Sequence, residues 1–297
     1  MITWGISANS HDAALAVFTD DGLEFASHSE RFSGIKNDPD LNKELIDYAR
    51  KWGEPDEIIW YERPFRKTLR QIRAGQGLRL AENNINRYLR QYGIHAPVKY
   101  TDHHLAHAAA GYYTSAFNEA TVVCIDSIGE FESLTIWDAS KERGLKRIYS
   151  QSYPHSLGLW YSALTQRVGL KPQEDEYILM GMAAYGDPLR LFNDILHDFF
   201  HPIDDDTFKQ IFFNKPTIKL KHNLHKGCRW WREDLTTEQD MFDIAAATQG
   251  VYKYILKYIS NWARWKSPSG NLVLMGGCAL NCSANGTIKS DWNDVWI

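Results

Sequence analysis

The sequence predicts an α/β fold made of two similarly built lobes, and three observations predict it. A strand–turn–strand–turn–strand opening begins at residue 2, and another begins near residue 121. Segments of helical period follow each opening. A short apolar strand at residues 272–275 then runs into Gly276-Gly277 and a helix start. Bulk properties agree. Of 297 residues, 44% are hydrophobic and 24% charged, enough to build a real core and long enough for two domains.

Taken in order, residues 2–7 and 13–18 read as strands, and Asp20-Asp21-Gly22 is a hairpin signal before a third strand at 23–28. Residues 41–52 fit a helix and 57–61 a buried strand. Residues 65–92 are helical in period with a polar surface. Residues 98–101 form a short strand that leads straight into His103, and the alanine-rich stretch 104–115 reads as a helix. The pattern then restarts, with a strand at 121–125, a turn at 127–130, and strands at 133–138 and 145–152. Helices are expected at 156–169, 176–184 and 241–265. The polar stretch 202–238, rich in Asp, Lys and His, reads as an insertion or surface excursion. This places a first lobe at 1–118 and a second at 119–297. The chain ends on Val295-Trp296-Ile297, which reads as the start of another buried strand, so the sequence is expected to stop inside a fold.

Several function classes lose support on composition. The net charge of −4 gives no global basic field for nucleic acid. The local run Arg66, Lys67, Arg70, Arg73 and Arg79 reads as a solvated helix face. No apolar run approaches the ~20 residues needed to cross a membrane, and the N-terminus lacks a basic leader and apolar core. The four cysteines, at 124, 228, 278 and 282, make no CxxC pair, which argues against a zinc or disulfide framework. The chain therefore reads as cytoplasmic, with reduced thiols.

Four segments carry candidate chemistry. In Asp102-His103-His104-Leu105-Ala106-His107, positions 103 and 107 share a helix face and can hold one metal ion; His104 and His107 are also close in period. No glutamate follows the first histidine of this pair, so the HExxH protease arrangement is absent. Asp126, at the end of an apolar strand, is a candidate third ligand, because such strand ends gather ligands. Capping and surface histidines at a helix start are the alternative reading. The turn Gly5-Ile6-Ser7-Ala8-Asn9-Ser10-His11-Asp12 can present backbone N–H groups to phosphate and His11 to a carbonyl or phosphoryl oxygen, or be an ordinary polar-tipped hairpin. Gly276-Gly277-Cys278-Ala279-Leu280-Asn281 can let backbone amides approach an anion, or be a structural Gly-Gly turn; no GK[ST] follows, so it is not a Walker loop. Met180-Gly181-Met182-Ala183-Ala184-Tyr185-Gly186 permits close backbone approach, but reads first as a packed helix ending at Gly186.

In combination these motifs resemble the O-carbamoyltransferases of the nodulation-factor, tobramycin and cephamycin type, in the family's order. To them are added Ser29-Glu30-Arg31-Phe32-Ser33 with Lys36, and Asp126 with Gly129-Glu130. The resemblance runs from residue 5 to 281. It implies the fold of the actin-like ATPase and sugar-kinase superfamily, with two ribonuclease-H-like lobes, the second incomplete. It implies that ATP and carbamoyl phosphate yield carbamoyl-adenylate in a YrdC-like domain. The core then passes the carbamoyl group to a hydroxyl of a small molecule, sugar or nucleoside. By position, His103, His107 and Asp126 match ligands of iron, Fe(2+), or another divalent metal. His11 and Lys36 match catalytic positions at the carbamoyl group, and Gly129, Glu130, Gly276, Gly277 and Asn281 match adenylate-binding positions. The chain departs from the family at Ser127, where a glycine is usual, and at Ile178, where a lysine is usual. A further metal-binding aspartate and the YrdC-like domain would lie beyond Ile297, so a separate domain or chain is an expected partner. The other readings are a threonylcarbamoyl-type transferase acting on tRNA and a non-catalytic module that binds nucleotide or a partner.

Overall fold

The structure, a computed structural model, describes residues 1–201 and 216–297. It contains two compact units, Met1–Ala106 and His107–Ile297.

The first unit is built on a five-stranded mixed sheet. Its strands are β1 (Thr3–Ser7), β2 (Ala14–Thr19), β3 (Gly22–His28), β4 (Glu57–Trp60) and β5 (Val98–Tyr100), in the order β3-β2-β1-β4-β5. β1 pairs antiparallel with β2 and parallel with β4. Alternate side chains of a strand face opposite sides. Trp4 and Ile6 of β1 and Leu15 and Val17 of β2 accordingly enter the core together with Ile58 and Trp60. The helices are α1 (Glu30–Ser33), α2 (Lys43–Ala49), α3 (Pro64–Arg73) and α4 (Ile85–Arg90). From α2 and α4, Leu45, Ile46, Ile85 and Leu89 complete this core. The helical period read across 65–92 is therefore interrupted. Gly75 and Gly77 take positive φ after α3, and a new helix starts where Asn84 accepts the N–H of Arg87.

The helix α5 (His103–Thr114) follows. The second unit carries another five-stranded sheet, of β6 (Glu119–Gly129), β7 (Glu132–Ser140), β8 (Gly144–Ser152), β9 (Asn271–Met275) and β10 (Asp294–Trp296). Its order is β10-β9-β6-β7-β8, with β6 antiparallel to β7 and parallel to β9. Numbered within each unit, both sheets read 3-2-1-4-5 with the same strand directions. The duplication read from two strand openings is thus present as a repeated topology, that of ribonuclease-H-like lobes, in an α/β chain. The turn expected at 127–130 is shorter. β6 runs on to Gly129 through an irregularity after Ile125, and only Glu130 and Phe131 turn the chain.

Around this sheet lie α6 (Leu157–Arg167), α7 (Glu176–Met182), α8 (Phe192–Phe199), α9 (Glu238–Lys266) and α10 (Cys282–Ile288). α9 sends Ile244, Val251, Tyr252, Ile255, Leu256 and Ile259 into one core with Val123, Ile125, Leu272 and Leu274 of the sheet. The stretch 202–238 is not wholly a surface excursion. Residues 202–215 lie outside the described ones, but Ile218, Leu220, Leu224, Cys228, Trp231 and Leu235 are all buried in this core. Its many charges conceal a spaced set of apolar anchors. Among the described residues, no helix is long and apolar enough to cross a membrane.

Candidate functional site

His103 and His107 stand one turn apart on α5, so the helix itself sets their spacing. The carbonyl of Asp102 accepts the N–H of Ala106 at 2.9 Å and starts the helix. The Asp102 carboxylate is held by Arg63 Nε at 2.6 Å and Arg66 Nη1 at 3.0 Å. Arg66 of the basic run, together with Arg63 just before it, thus braces the residue before His103. The Tyr61 ring meets His103 edge-on, with centroids 5.4 Å apart. His104 is fully buried and belongs to the packing side of the helix.

Asp126 lies on β6 just past Ile125, the last residue in regular pairing with β7. Its Oδ2 is 3.6 Å from His107 Nε2. One ligand atom from each of His103, His107 and Asp126 can be chosen so that all lie within 4.8 Å of one another. The backbone beneath Asp126 is fixed by α6. The Ser156 hydroxyl accepts the N–H of Leu159, donates to the Ser127 carbonyl at 2.6 Å and lies 3.2 Å from that of Asp126. Gly158 brings α6 in so closely that a Cβ there would stand 2.8 Å from the Ser127 backbone.

The glycine turn arrives at the same carboxylate. Gly276 adopts φ +89°, and a Cβ there would fall 2.3 Å from the Ile125 carbonyl oxygen. A Cβ on Gly277 would stand 3.3 Å from Asp126 Oδ1. The turn itself is a short 3-10 helix, residues Gly277–Leu280, ending at Asn281, whose side chain accepts the N–H of Ala284 and starts α10. Tyr252 OH donates to the Cys278 carbonyl at 2.8 Å, and Asn285 Nδ2 to that of Ala279 at 2.7 Å. Burial pushes the Cys278 thiol up, and the charge of Asp126 adds to this, which favours the neutral thiol.

In the first unit, His11 and Lys36 sit on loops tied together by backbone hydrogen bonds. Asn9 donates to the Pro39 carbonyl at 2.8 Å and Ala13 to that of Asp38 at 2.7 Å. His11 is exposed, and its Nδ1 lies 2.9 Å from Asp12 Oδ2. A carboxylate can only accept, so this contact assigns the proton to Nδ1 and leaves Nε2 as the basic nitrogen. The loop is anchored from below by Lys67, which donates to the Asn9 carbonyl at 3.2 Å while paired with buried Glu62 at 2.6 Å. Gly129 ends β6, and Glu130 opens the turn to β7, where it is buried with φ +52°.

The histidine pair, the strand-end aspartate and the glycine turn are thus found in the predicted elements. What sequence reading did not assign to the site are its supports: Arg63, Ser156, Gly158 and Tyr252, with Arg66 and Lys67, which it read as part of a solvated face. The solvated-face reading fails at Lys67, which is buried against Glu62. The Met180–Gly186 motif is a packed helix end, but not through a left-handed glycine. Gly186 has φ −111°, and it is required because a Cβ would fall 2.0 Å from the Phe242 carbonyl oxygen.

Residues 56–297 match the family described as carbamoyltransferase N-terminus. An uncharacterized protein of Synechocystis sp. is 31% identical over 99% of this chain and 53% of its own length. The nodulation protein NolNO of Sinorhizobium fredii is 24% identical over 97% of this chain and 44% of its own length. The chain therefore spans about half the length of these curated relatives. Among solved structures, component A of (R)-2-hydroxyglutaryl-CoA dehydratase from Acidaminococcus fermentans overlaps 98% of this chain and 88% of its own, with TM-score 0.48 and 11% identity. With most of its length inside the family match, this chain belongs to the carbamoyltransferase N-terminus family.

Proposed function

We propose that this chain binds carbamoyl-adenylate and transfers its carbamoyl group to a hydroxyl of a small molecule, sugar or nucleoside, giving an O-carbamate. One observation carries the reading: Asp126 faces His107 on one side and Gly277 of the glycine turn on the other. A metal set and an anion-binding turn that share one carboxylate suit a phosphate-bearing ligand.

The donor set fits a metal. Two imidazoles and one carboxylate are the combination favoured by Fe(2+) and its divalent neighbours. A nitrogen–oxygen separation of 3.6 Å is too long for a hydrogen bond but suits two donors, each about 2.1 Å from one ion. When bound by His103, His107 and Asp126, such a cation would supply positive charge toward the adenylate phosphate. The rest falls to the chain's own residues. Gly276 and Gly277 bring the backbone near the anion without side-chain obstruction, and Asn281 and Glu130 contact the nucleotide. Lys36 offsets charge on the carbonyl oxygen of the carbamoyl group or on the phosphate. The acceptor oxygen attacks the carbamoyl carbon, the bond from that carbon to the phosphate oxygen breaks, and AMP leaves. His11, with Nε2 free of the proton that faces Asp12, takes the acceptor's proton. Carbamoyl-adenylate, made from ATP and carbamoyl phosphate in a YrdC-like domain or partner chain, places this chemistry in the cytoplasm.

The test is incubation with carbamoyl-adenylate and a panel of polyhydroxylated acceptors, with and without the YrdC-like part of a longer relative. An O-carbamate detected by mass spectrometry, and abolished in His11→Ala, is the expected result. Absence of any carbamate in both arms overturns the reading. A tRNA product formed only when tRNA and threonylcarbamoyl-adenylate replace acceptor and donor redirects it to threonylcarbamoyl-type transfer.

A further inference from the structure

We infer that Gln249 is a positioning residue that fixes Asn281 and with it the nucleotide-binding face of the glycine turn, an inference that rests on the adenylate reading above. Gln249 lies in the middle of α9 and is 3% exposed. Its neighbours Ile244, Ala245, Val251 and Tyr252 are apolar or aromatic and equally buried. A carboxamide in such a place costs stability unless its bonds are made, and a leucine would fill the same space without that requirement.

The bonds are made, and they point at one residue. Gln249 Nε2 donates to Asn281 Oδ1 at 2.8 Å, and Asn281 Nδ2 donates back to Gln249 Oε1 at 3.0 Å. Tyr161 OH donates to the same Oε1 at 2.8 Å. The backbone N–H of Ala284, which can only donate, fixes which end of the Asn281 amide is oxygen, and the reciprocal pair then fixes the Gln249 amide. Asn281 Oδ1 takes the N–H of Ala284 as well, so its oxygen side is committed to the protein. Its Nδ2 carries two hydrogens. Among the described residues one goes to Gln249, and Tyr161, itself bonded to Gln249, is a second polar partner of the same amide, so Gln249 and Tyr161 together hold the side chain that the nucleotide meets. One turn along α9, Tyr252 holds the Cys278 carbonyl. The helix thus grips the turn at Cys278 and at Asn281, and Gln249 is the point at which it sets a functional amide.

The experiment measures AMP binding to the 297-residue chain by equilibrium titration. In Gln249→Leu the Kd rises about tenfold, the scale of one or two neutral hydrogen bonds. In Gln249→Glu, which keeps the shape and both acceptor contacts but loses the donor to Asn281, it rises about threefold. Asn281→Ala weakens binding too, and the Gln249→Leu/Asn281→Ala double variant binds no more weakly than Asn281→Ala alone, because one residue acts through the other. A purely structural role would instead let the two losses multiply. Multiplying losses, or a folded Gln249→Leu with the wild-type Kd, overturns the assignment of Gln249 and leaves the adenylate reading standing. If Gln249→Leu does not fold, Gln249→Glu decides, an unchanged Kd overturning the assignment. AMP binding absent from the wild-type chain overturns the adenylate reading and this inference with it.

Discussion

At Gly276 two demands meet that only glycine satisfies. Its φ of +89° with an extended ψ is costly for any residue with a Cβ, and that Cβ would also stand 2.3 Å from the Ile125 carbonyl oxygen. Gly276→Ala is therefore expected to destabilise the chain by about 3 kcal/mol or more, read as a lower midpoint in denaturant. Gly277 differs: its φ is ordinary, and its Cβ would press on the Asp126 carboxylate at 3.3 Å. Gly277→Ala should keep near-native stability but weaken metal and AMP binding together. Equal stability losses in the two variants would contradict this account of the turn. Residues of this kind divide by how far their reasons reach along the chain. His103 and His107 were legible because helical period places them on one face. Asp126 was legible because it ends an apolar strand. Ser156 and Gln249 were not, because their partners are distant segments and no local pattern announces them.

The elements were largely legible, and α9 shows where the margin lies. Its apolar period pointed to 241–265, whereas the helix begins at Glu238, because Thr237 and Asp240 form a capping box that period alone does not reveal. Asp240 accepts from the Thr237 hydroxyl at 2.7 Å and its N–H at 2.9 Å, and Arg190 Nη2 lies 2.7 Å from its other oxygen. Those contacts, the Thr237 ones foremost, hold its carboxyl well below the usual range. Burial pushes the neighbouring Asp243 up, but hydrogen bonds from Arg190, the Asp187 N–H and Gln239 outweigh it and leave it lowered. A carboxyl lowered in the folded state binds protons more readily when unfolded. Its stabilisation is complete above the unfolded value of about 4 and is lost as pH falls from there through the folded value. Chemical denaturation between about pH 6 and about pH 3 should show falling stability in the wild-type chain and a shallower fall in Asp240→Asn. A fall of equal steepness in both would remove Asp240 as a source of the acid sensitivity. Thr237→Ala should cost about 1 kcal/mol at neutral pH. Two helices were missed outright: α1, only four residues long, and α8, whose eight residues bury only Ile195 and Phe199 and give too brief a period to read.

For the whole molecule, the two strand openings behind the repeated 3-2-1-4-5 sheet were legible as apolar segments punctuated by turn residues, alternating in β1 and continuous in β6, whereas the strand order itself was not. The meeting of Asp126 with Gly277 was not, since it depends on β9 pairing in parallel with β6 across the intervening helices. That pairing brings Met275, the residue before the glycine turn, beside Cys124, two residues before Asp126, and so lets the stability of the chain report on the site. A cation that binds the native chain and not the unfolded one stabilises it by about 2.7 kcal/mol at a hundred times its Kd. In a chain of this size that raises the thermal midpoint by roughly 5 °C. The chain should first be stripped with a chelator and then titrated with Fe(2+) without oxygen. The midpoint should climb with metal for the wild type and stay flat for His103→Gln/His107→Gln, in which both imidazoles are replaced by weakly ligating amides. Other histidines remain on the surface, His197 and His222 among them, and serve as the internal control. If they, rather than the α5 pair, were the donors, the double variant would climb as steeply as the wild type, and His103, His107 and Asp126 would lose their place as a metal set.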